Sequence, residues 1–324
     1  MADWISVIIP VYQVAADLPR CLDSILAQTY PHIEIIAVND GSPDGSGAIL
    51  DDYAAKHPHL RVIHKENGGV TSARLRGVEL ATGDWIGFVD GDDEIEPDMY
   101  ERLLHNAKKH EADISHCGYQ MVFTDGRVNY FHNTGTVEAH NRAQALRELL
   151  SGQRVEPGLG NKLYRRSLFQ GWEMDLSIKI NEDLLMNYYL FSQAATSVFE
   201  DWCPYHYIVR STSASRAKMN EHKIYDPIRV KDVIREAVGE GLRDDAKRAY
   251  INTCINVYNS LLVADLEDRQ HLENVRNMLK HERKDFTLLG RKRAYMARLI
   301  IRAPLLYKPI YGIYTRYFQK QIYS

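Results

Sequence analysis

Apolar residues along this chain fall into two alternating textures. Short runs rich in isoleucine and valine, ISVIIPVY at 5–12 and IEIIAVND at 33–40, end in turn-forming or polar residues, as the strands of a buried parallel sheet do. Between them, DLPRCLDSILAQTY (17–30) carries Leu18, Leu22, Ile25 and Leu26 at helical spacing. The alternation continues with a predicted helix over GSGAILDDYAAKH (45–57), a strand over LRVIHKE (60–66), a helix near 70–81 and a strand over DWIGFVD (84–90). Strands that alternate with helices predict an α/β fold. Its mostly parallel sheet has helices on both faces, and ligands bind beyond the carboxyl ends of the strands.

Those ends are Pro10 to Tyr12, NDGSPDGS (39–46), ENGG (66–69) and DGDD (90–93). All four are polar or turn-forming, so the four loops are expected to converge on one cleft. Asn, Asp, Gly and Ser also dominate ordinary turns, and Asp93 or Glu94 has a second reading as complement to the dipole of the MYERLLHNAKKH helix (99–110). Carboxylates clustered at a strand end repel one another unless a cation neutralises them. Oxygen ligands suit Mg²⁺ or Mn²⁺, which fill their remaining positions with water and substrate phosphates, so a nucleoside diphosphate is the natural guest. Arg74 and Arg76 stand just upstream and are read as added positive charge near a phosphate, or as solvated helix arginines.

ISVIIPVY (with Ile5 where the usual first residue is Val), VNDGSPDGS, NGGVTSAR and FVDGDD occur in that order, and the ordered set resembles the inverting family 2 glycosyltransferases of the GT-A fold over roughly residues 4–215. The resemblance implies a Rossmann-like sheet and a nucleotide-sugar donor, usually a UDP-sugar, bound across the first half of that sheet. Its donor contacts would include Pro10, Val11, Tyr12, Asp40, Asn67, Gly68, Arg74, Asp90, Gly91 and Asp92, with Asp40 accepting from the uracil N–H. Asp90 and Asp92 would be the DxD acids, one towards ribose and metal and the other a direct ligand of Mn²⁺ or Mg²⁺. Leu75 departs from the Asn that usually follows this arginine.

Glu182 and Asp183, in WEMDLSIKINEDLLMNYYLF, match the family's acid pair, and the resemblance makes Asp183 the general base; alone, the pair reads as helix capping. GLGNKLYRRSLF (158–169) resembles the stretch that approaches the acceptor, with Asn161, Lys162 and Arg165 as its polar candidates. CPYHYIVRSTSASR (203–216) resembles the aromatic, basic loop that folds over the donor. From it His206, Tyr207, Arg210 and Ser213 could touch diphosphate or metal, though a lone histidine beside tyrosine is more often packed.

Composition adds bounds. The 324 residues are 45% apolar and 26% charged, an ordinary globular balance with room for two units: 1–216, and a helical region over 217–324. The four cysteines form no CxxC pair, which argues against zinc and against a disulfide framework. The amino terminus lacks the basic start and long apolar run of a secretory signal, so the catalytic part is expected in the cytosol. The net charge of −3 conceals an asymmetry. Residues 291–324 hold eight Lys or Arg and no acid, which leaves 32 basic against 43 acidic residues before them. That acidic body excludes a nucleic-acid face.

The basic tail is too often interrupted to span a bilayer, which needs about 20 apolar residues, but its Tyr, Leu, Ile and Lys/Arg mixture suits a membrane surface. A helix packed on the catalytic part or on a second subunit is the alternative. With family expectation added, the acceptor would be a glycan or an undecaprenyl-diphosphate-linked glycan in capsule, exopolysaccharide or O-antigen synthesis. A sugar nucleotidyltransferase and a non-catalytic binding module on a degenerate scaffold are the rival functions. The first is opposed by the lack of a Gly-rich amino-terminal phosphate loop, the second by the intact Asp40, Asp90, Asp92 and Asp183.

Overall fold

The computed structural model describes residues 2–131, 133–209, 219–264 and 269–314, in two compact units, Met1–Ala217 and Lys218–Ser324. In the first, β1 (Ile5–Val11) is buried along its whole length and pairs in parallel with β2 (Ile33–Asn39) and β4 (Trp85–Phe88), with Ile5 opposite both Ile33 and Trp85. β3 (Leu60–His64) pairs in parallel with β2. The run of β-branched residues is thus covered on both faces, as parallel strands require. Helix α1 (Leu18–Leu26) shows how: Leu18, Cys21, Leu22 and Ile25 are its buried residues, and Pro19 sits in the first turn, where the missing N–H costs nothing. Helices α2 (Ser46–Ala54), α3 (Val70–Leu80) and α4 (Met99–Lys109) complete the alternation.

The second half of the sheet departs from parallel order. The strand path is β3-β2-β1-β4-β9-β6-β10-β5, where β5 is Glu94–Ile95, β6 Ile114–Phe123, β9 Lys162–Arg165 and β10 Thr196–Val209. Strand β9 runs antiparallel to both neighbours, while β6 and β10 are parallel to each other. Two short strands, β7 (Val128–Tyr130) and β8 (Val137–Asn141), add antiparallel to β6 and β10. Helix α5 (Arg142–Ser151) starts at an Asn141 capping box, and α6 (Glu182–Gln193) follows a long irregular stretch. All four cysteines are buried and none forms a disulfide.

The second unit is helical: α7 (Glu221–Ala237), α8 (Arg243–Val263), α9 (Arg269–His281), α10 (Arg291–Arg302) and α11 (Pro304–Tyr314). Its core includes Ile224, Ile251, Cys254, Leu279, Ala297, Ile300 and Tyr307, and the Tyr307 hydroxyl donates to Asn259 at 2.8 Å. The basic tail therefore contributes part of a core. Its helices also leave Tyr295, Leu305, Leu306, Ile310 and Ile313 exposed. No helix among the described residues is long and apolar enough to cross a membrane.

Candidate active site

The carboxyl ends of β1 to β4 share one edge, and a cleft of about 650 Å³ opens there. Strand β1 supplies Pro10 and Val11, with Tyr12 just beyond it. The loop after β2 supplies Asp40, the loop after β3 Asn67, and the loop after β4 Asp90, Gly91 and Asp92. NDGS forms a turn, and its Asp40 lines the cleft. Asn39 shapes the turn by accepting the Ser42 N–H at 3.0 Å, and Gly41 adopts φ +69°, where a Cβ would stand 2.9 Å from the Asn67 backbone nitrogen. Asp40, 2% exposed, is pinned by Lys65 and by the Gly68 and Gly69 N–H groups at 3.0 and 2.8 Å. Gly68 thus holds Asp40.

Arg74 lines the cleft as expected, with its charge engaged by carboxylates. Its buried guanidinium donates to Asp90 Oδ1 at 2.8 Å and lies 3.5 Å from Glu182 Oε1. Burial opposes the charge, but Asp90 and Glu182 outweigh it and hold the group protonated. Glu182 and Asp183 occupy the first turn of α6, after Asn181 in the left-handed conformation at φ +64°. Neither acid is the N-cap, but both stand in the first turn, where acids complement the helix dipole. Glu182 is pushed up to about 7 by burial and by the charge of Asp183, against the pull of Arg74. Asp183 is also raised by burial, with Arg74 pulling it down, and its Oδ1 accepts the Leu184 N–H at 2.7 Å.

A second cavity of about 230 Å³ adjoins the cleft and shares Arg74, Asp90 and Tyr207 with it. Glu182 lines the larger space and Asp183 the smaller. The smaller one is walled by Tyr119 and Met121 of β6, Tyr205 and Tyr207 of β10, and the 156–161 stretch with Glu156 and Asn161. Apart from Tyr207, these aromatic and acidic residues escape sequence reasoning, because they come from β6, β10 and the stretch before β9, which long-range pairing brings together. The available signal is the i, i+2 spacing of Tyr119/Met121 and of Tyr205/Tyr207, which puts each pair on one strand face.

The same alternation corrects His206. Its side chain lies on the opposite face of β10 from Tyr207, with Nδ1 3.1 Å from Glu94 and Nε2 2.8 Å from Glu96, away from both cavities. Asp93 does not serve a helix start: it is buried, accepts from the Tyr205 hydroxyl at 2.7 Å and from the Ile208 N–H at 2.9 Å, and so clamps β10 to the DGDD loop. Among the acceptor candidates only Asn161 reaches a cavity. Lys162 is fully buried, with Nζ 2.5 Å from the Gly158 carbonyl and 2.7 Å from Asn161 Oδ1, and burial pushes it down to about 8. Arg165 pairs with Trp85 at the other end of the sheet, its guanidinium 4.7 Å above that ring and 3.2 Å from Asp113. Arg210 and Ser213 lie outside the described residues.

Comparison with known proteins agrees with this geometry. The description "Glycosyl transferase family 2" matches residues 6–172, just over half of the chain. The chain is 37% identical to the uncharacterized glycosyltransferase EpsJ of Bacillus subtilis over 198 residues, 60% of this chain and 58% of EpsJ. It is 31% identical to the uncharacterized glycosyltransferase YibD of Escherichia coli over 229 residues, 68% of this chain and 65% of YibD. Both matches span less than two thirds of the relative's length. In fold, the chain is similar to S. aureus TarS 1–349 in complex with UDP-GlcNAc, with a TM-score of 0.76 at 19% identity over 97% of this chain and 91% of that one.

Proposed function

The chain belongs to glycosyl transferase family 2, and from that premise we propose that it moves a sugar, with inversion, from a UDP-sugar to a hydroxyl of a glycan or lipid-linked glycan. The observation that carries the reading is the division of labour between consecutive acids, Glu182 in the larger cleft and Asp183 in the smaller cavity, which meet at Arg74, Asp90 and Tyr207. The donor takes the larger space, with its base and ribose near Asp40 and its diphosphate near Asp90 and Asp92. The acceptor hydroxyl comes from the smaller side. Its oxygen bonds to the anomeric carbon as the bond to the diphosphate breaks, the nucleoside diphosphate leaves with that electron pair, and Asp183 takes the hydroxyl proton.

Burial raises the proton affinity of Asp183, which makes it a better base than an exposed aspartate once ionised. Arg74 ties Asp90 to Glu182 and so fixes the donor loop against the catalytic helix. A divalent cation fits the DxD pair: both carboxylates line one cleft, the donors are all oxygen, and the Asp90 side chain is 41% exposed. Bound there, Mn²⁺ or Mg²⁺ would neutralise the charge of the departing diphosphate. The exposed apolar residues of α11, in a basic segment, support a place at the cytoplasmic face of a membrane, where lipid-linked acceptors reside.

The test is a thermal-shift series with UDP, GDP, dTDP and CDP, each with and without Mn²⁺, on the wild type and on Asp92→Ala. A ligand at 100 times its Kd stabilises by about 2.7 kcal/mol. The reading requires a Mn²⁺-dependent shift with UDP that Asp92→Ala abolishes, and UDP release from a UDP-sugar. A shift confined to another nucleotide rejects the UDP assignment, and none at all rejects the donor site.

A further inference from the structure

Asp90 and Asp92 flank Gly91, and a glycine between two proposed metal ligands leaves a loop pliant unless other elements hold it. Helix α1 supplies such holds from consecutive residues. The Cys21 thiol donates to the Asp90 carbonyl at 3.4 Å, and the Arg20 guanidinium donates through Nη2 to the Asp92 carbonyl at 2.9 Å. Asp90 has further ties. Its N–H donates to the Tyr205 hydroxyl at 3.3 Å, its carbonyl accepts the Asp93 N–H at 2.9 Å, and its carboxylate accepts from Arg74. For Asp92 the tie to the scaffold at its carbonyl is Arg20.

Arg20 is itself fixed from two sides. Its Nη2 lies 3.0 Å from Asp17 Oδ1 and its Nε 3.3 Å from Glu94 Oε2, while Glu94 Oε1 lies 3.1 Å from His206 Nδ1. Glu94 belongs to β5, which pairs antiparallel with β10 at Tyr205 and His206. The planar fork of the guanidinium is thus set between α1 and β5, and it bridges both to the Asp92 peptide. His206, which faces away from both cavities, gains a place in this chain of contacts as the residue that holds Glu94.

We infer that Arg20 is a positioning residue for the donor's divalent cation: by holding the Asp92 peptide it fixes the Cα from which that carboxylate projects, so the ligand is aimed before the metal binds. The inference rests on the metal-dependent donor reading above. Residues that orient a metal ligand from behind typically contribute roughly 10–100-fold to metal affinity. The sign of the effect separates this role from a plain electrostatic one. A cation near Asp92 repels Mn²⁺, so removing the charge alone would tighten the metal, whereas removing the hold on its ligand loosens it.

The experiment uses the full chain and titrates UDP by calorimetry over a series of Mn²⁺ concentrations, with Mn²⁺ binding followed in parallel by electron paramagnetic resonance. Arg20→Ala and Arg20→Gln both withdraw the donor from Asp92. Because the side chain is 42% exposed, either should leave Tm within about 3 °C of wild type. The Mn²⁺ concentration at half-maximal UDP affinity should rise at least fivefold in both variants, while UDP affinity and kcat at saturating Mn²⁺ stay within twofold. A smaller rise or a fall overturns the inference. So does a loss of Tm or of UDP affinity that saturating Mn²⁺ does not restore, which would make Arg20 a support of the fold. UDP binding by the wild type that ignores Mn²⁺ instead removes the reading beneath it.

Discussion

Replacing Asp183 by asparagine separates chemistry from binding. The amide keeps the shape of the carboxyl and an oxygen that accepts the Leu184 N–H, now at 2.7 Å, so the first turn of α6 keeps its local geometry. The larger cleft, proposed for the donor, is lined by Glu182, with Asp183 in the smaller cavity, so UDP affinity is expected within threefold of wild type. What disappears is a proton acceptor. A positioned general base contributes about 10²–10⁴-fold, equivalent to ~2.7–5.4 kcal/mol of barrier. The burial that raises the Asp183 pKa favours the upper part of that range. The assay is steady-state UDP release with saturating acceptor, beside calorimetric titration with UDP and Mn²⁺. Transfer within tenfold of wild type would refute the base assignment, and a matching loss of UDP affinity would make Asp183 a structural residue.

The acid pair also predicts a pH dependence of stability. Glu182 rises from an ordinary 4.5 to about 7 in the folded protein, so the native state binds the extra proton. Its contribution is fully present below about pH 4.5 and is lost as pH rises towards 7, by ~3 kcal/mol at most. Glu182→Gln should therefore flatten the fall in Tm between pH 5 and pH 8; an unchanged slope refutes this. Gly160→Ala places a Cβ 2.4 Å from the Tyr205 ring. It should cost ~1–3 kcal/mol and lower Tm by several degrees, and a neutral Tm would mean that the wall yields. Asp40→Ala leaves Lys65 and two N–H groups without their acceptor and should cost ~3 kcal/mol besides UDP affinity; loss of affinity at unchanged Tm would assign Asp40 to the base alone. Leu305→Glu with Leu306→Glu, both on exposed positions, should abolish flotation with anionic liposomes and leave Tm within 2 °C, and retained flotation removes the membrane reading.

Much of the parallel half of the sheet is written in local sequence. β1, β2, β3 and β4 and the helices between them follow from runs of β-branched residues and helical spacing, because each buries its apolar side against a neighbour close in the chain. Their loops share one edge of the sheet because parallel strands repeat the same direction, which is why Pro10, Asp40, Asn67, Asp90 and Asp92 surround one cleft. The ordered motifs named the family on the same stretch.

Pairing between distant segments decided the rest. β9 turns antiparallel between β4 and β6, which carries Arg165 to the far end of the sheet and leaves Asn161 at the cavity. Strand alternation chooses Tyr207 over His206, and burial converts Asp93 from a helix-start acid into a clamp on β10. Arg74 reads in one dimension as a cation at the cleft, and three dimensions add two carboxylates 16 and 108 residues away. Local pattern determines which residues are apolar, turning or charged. Which charges meet, and in how dry a place, is set by long-range register, and for that reason the residues around the larger cleft were legible in the chain while those of the smaller cavity and its acidity were not.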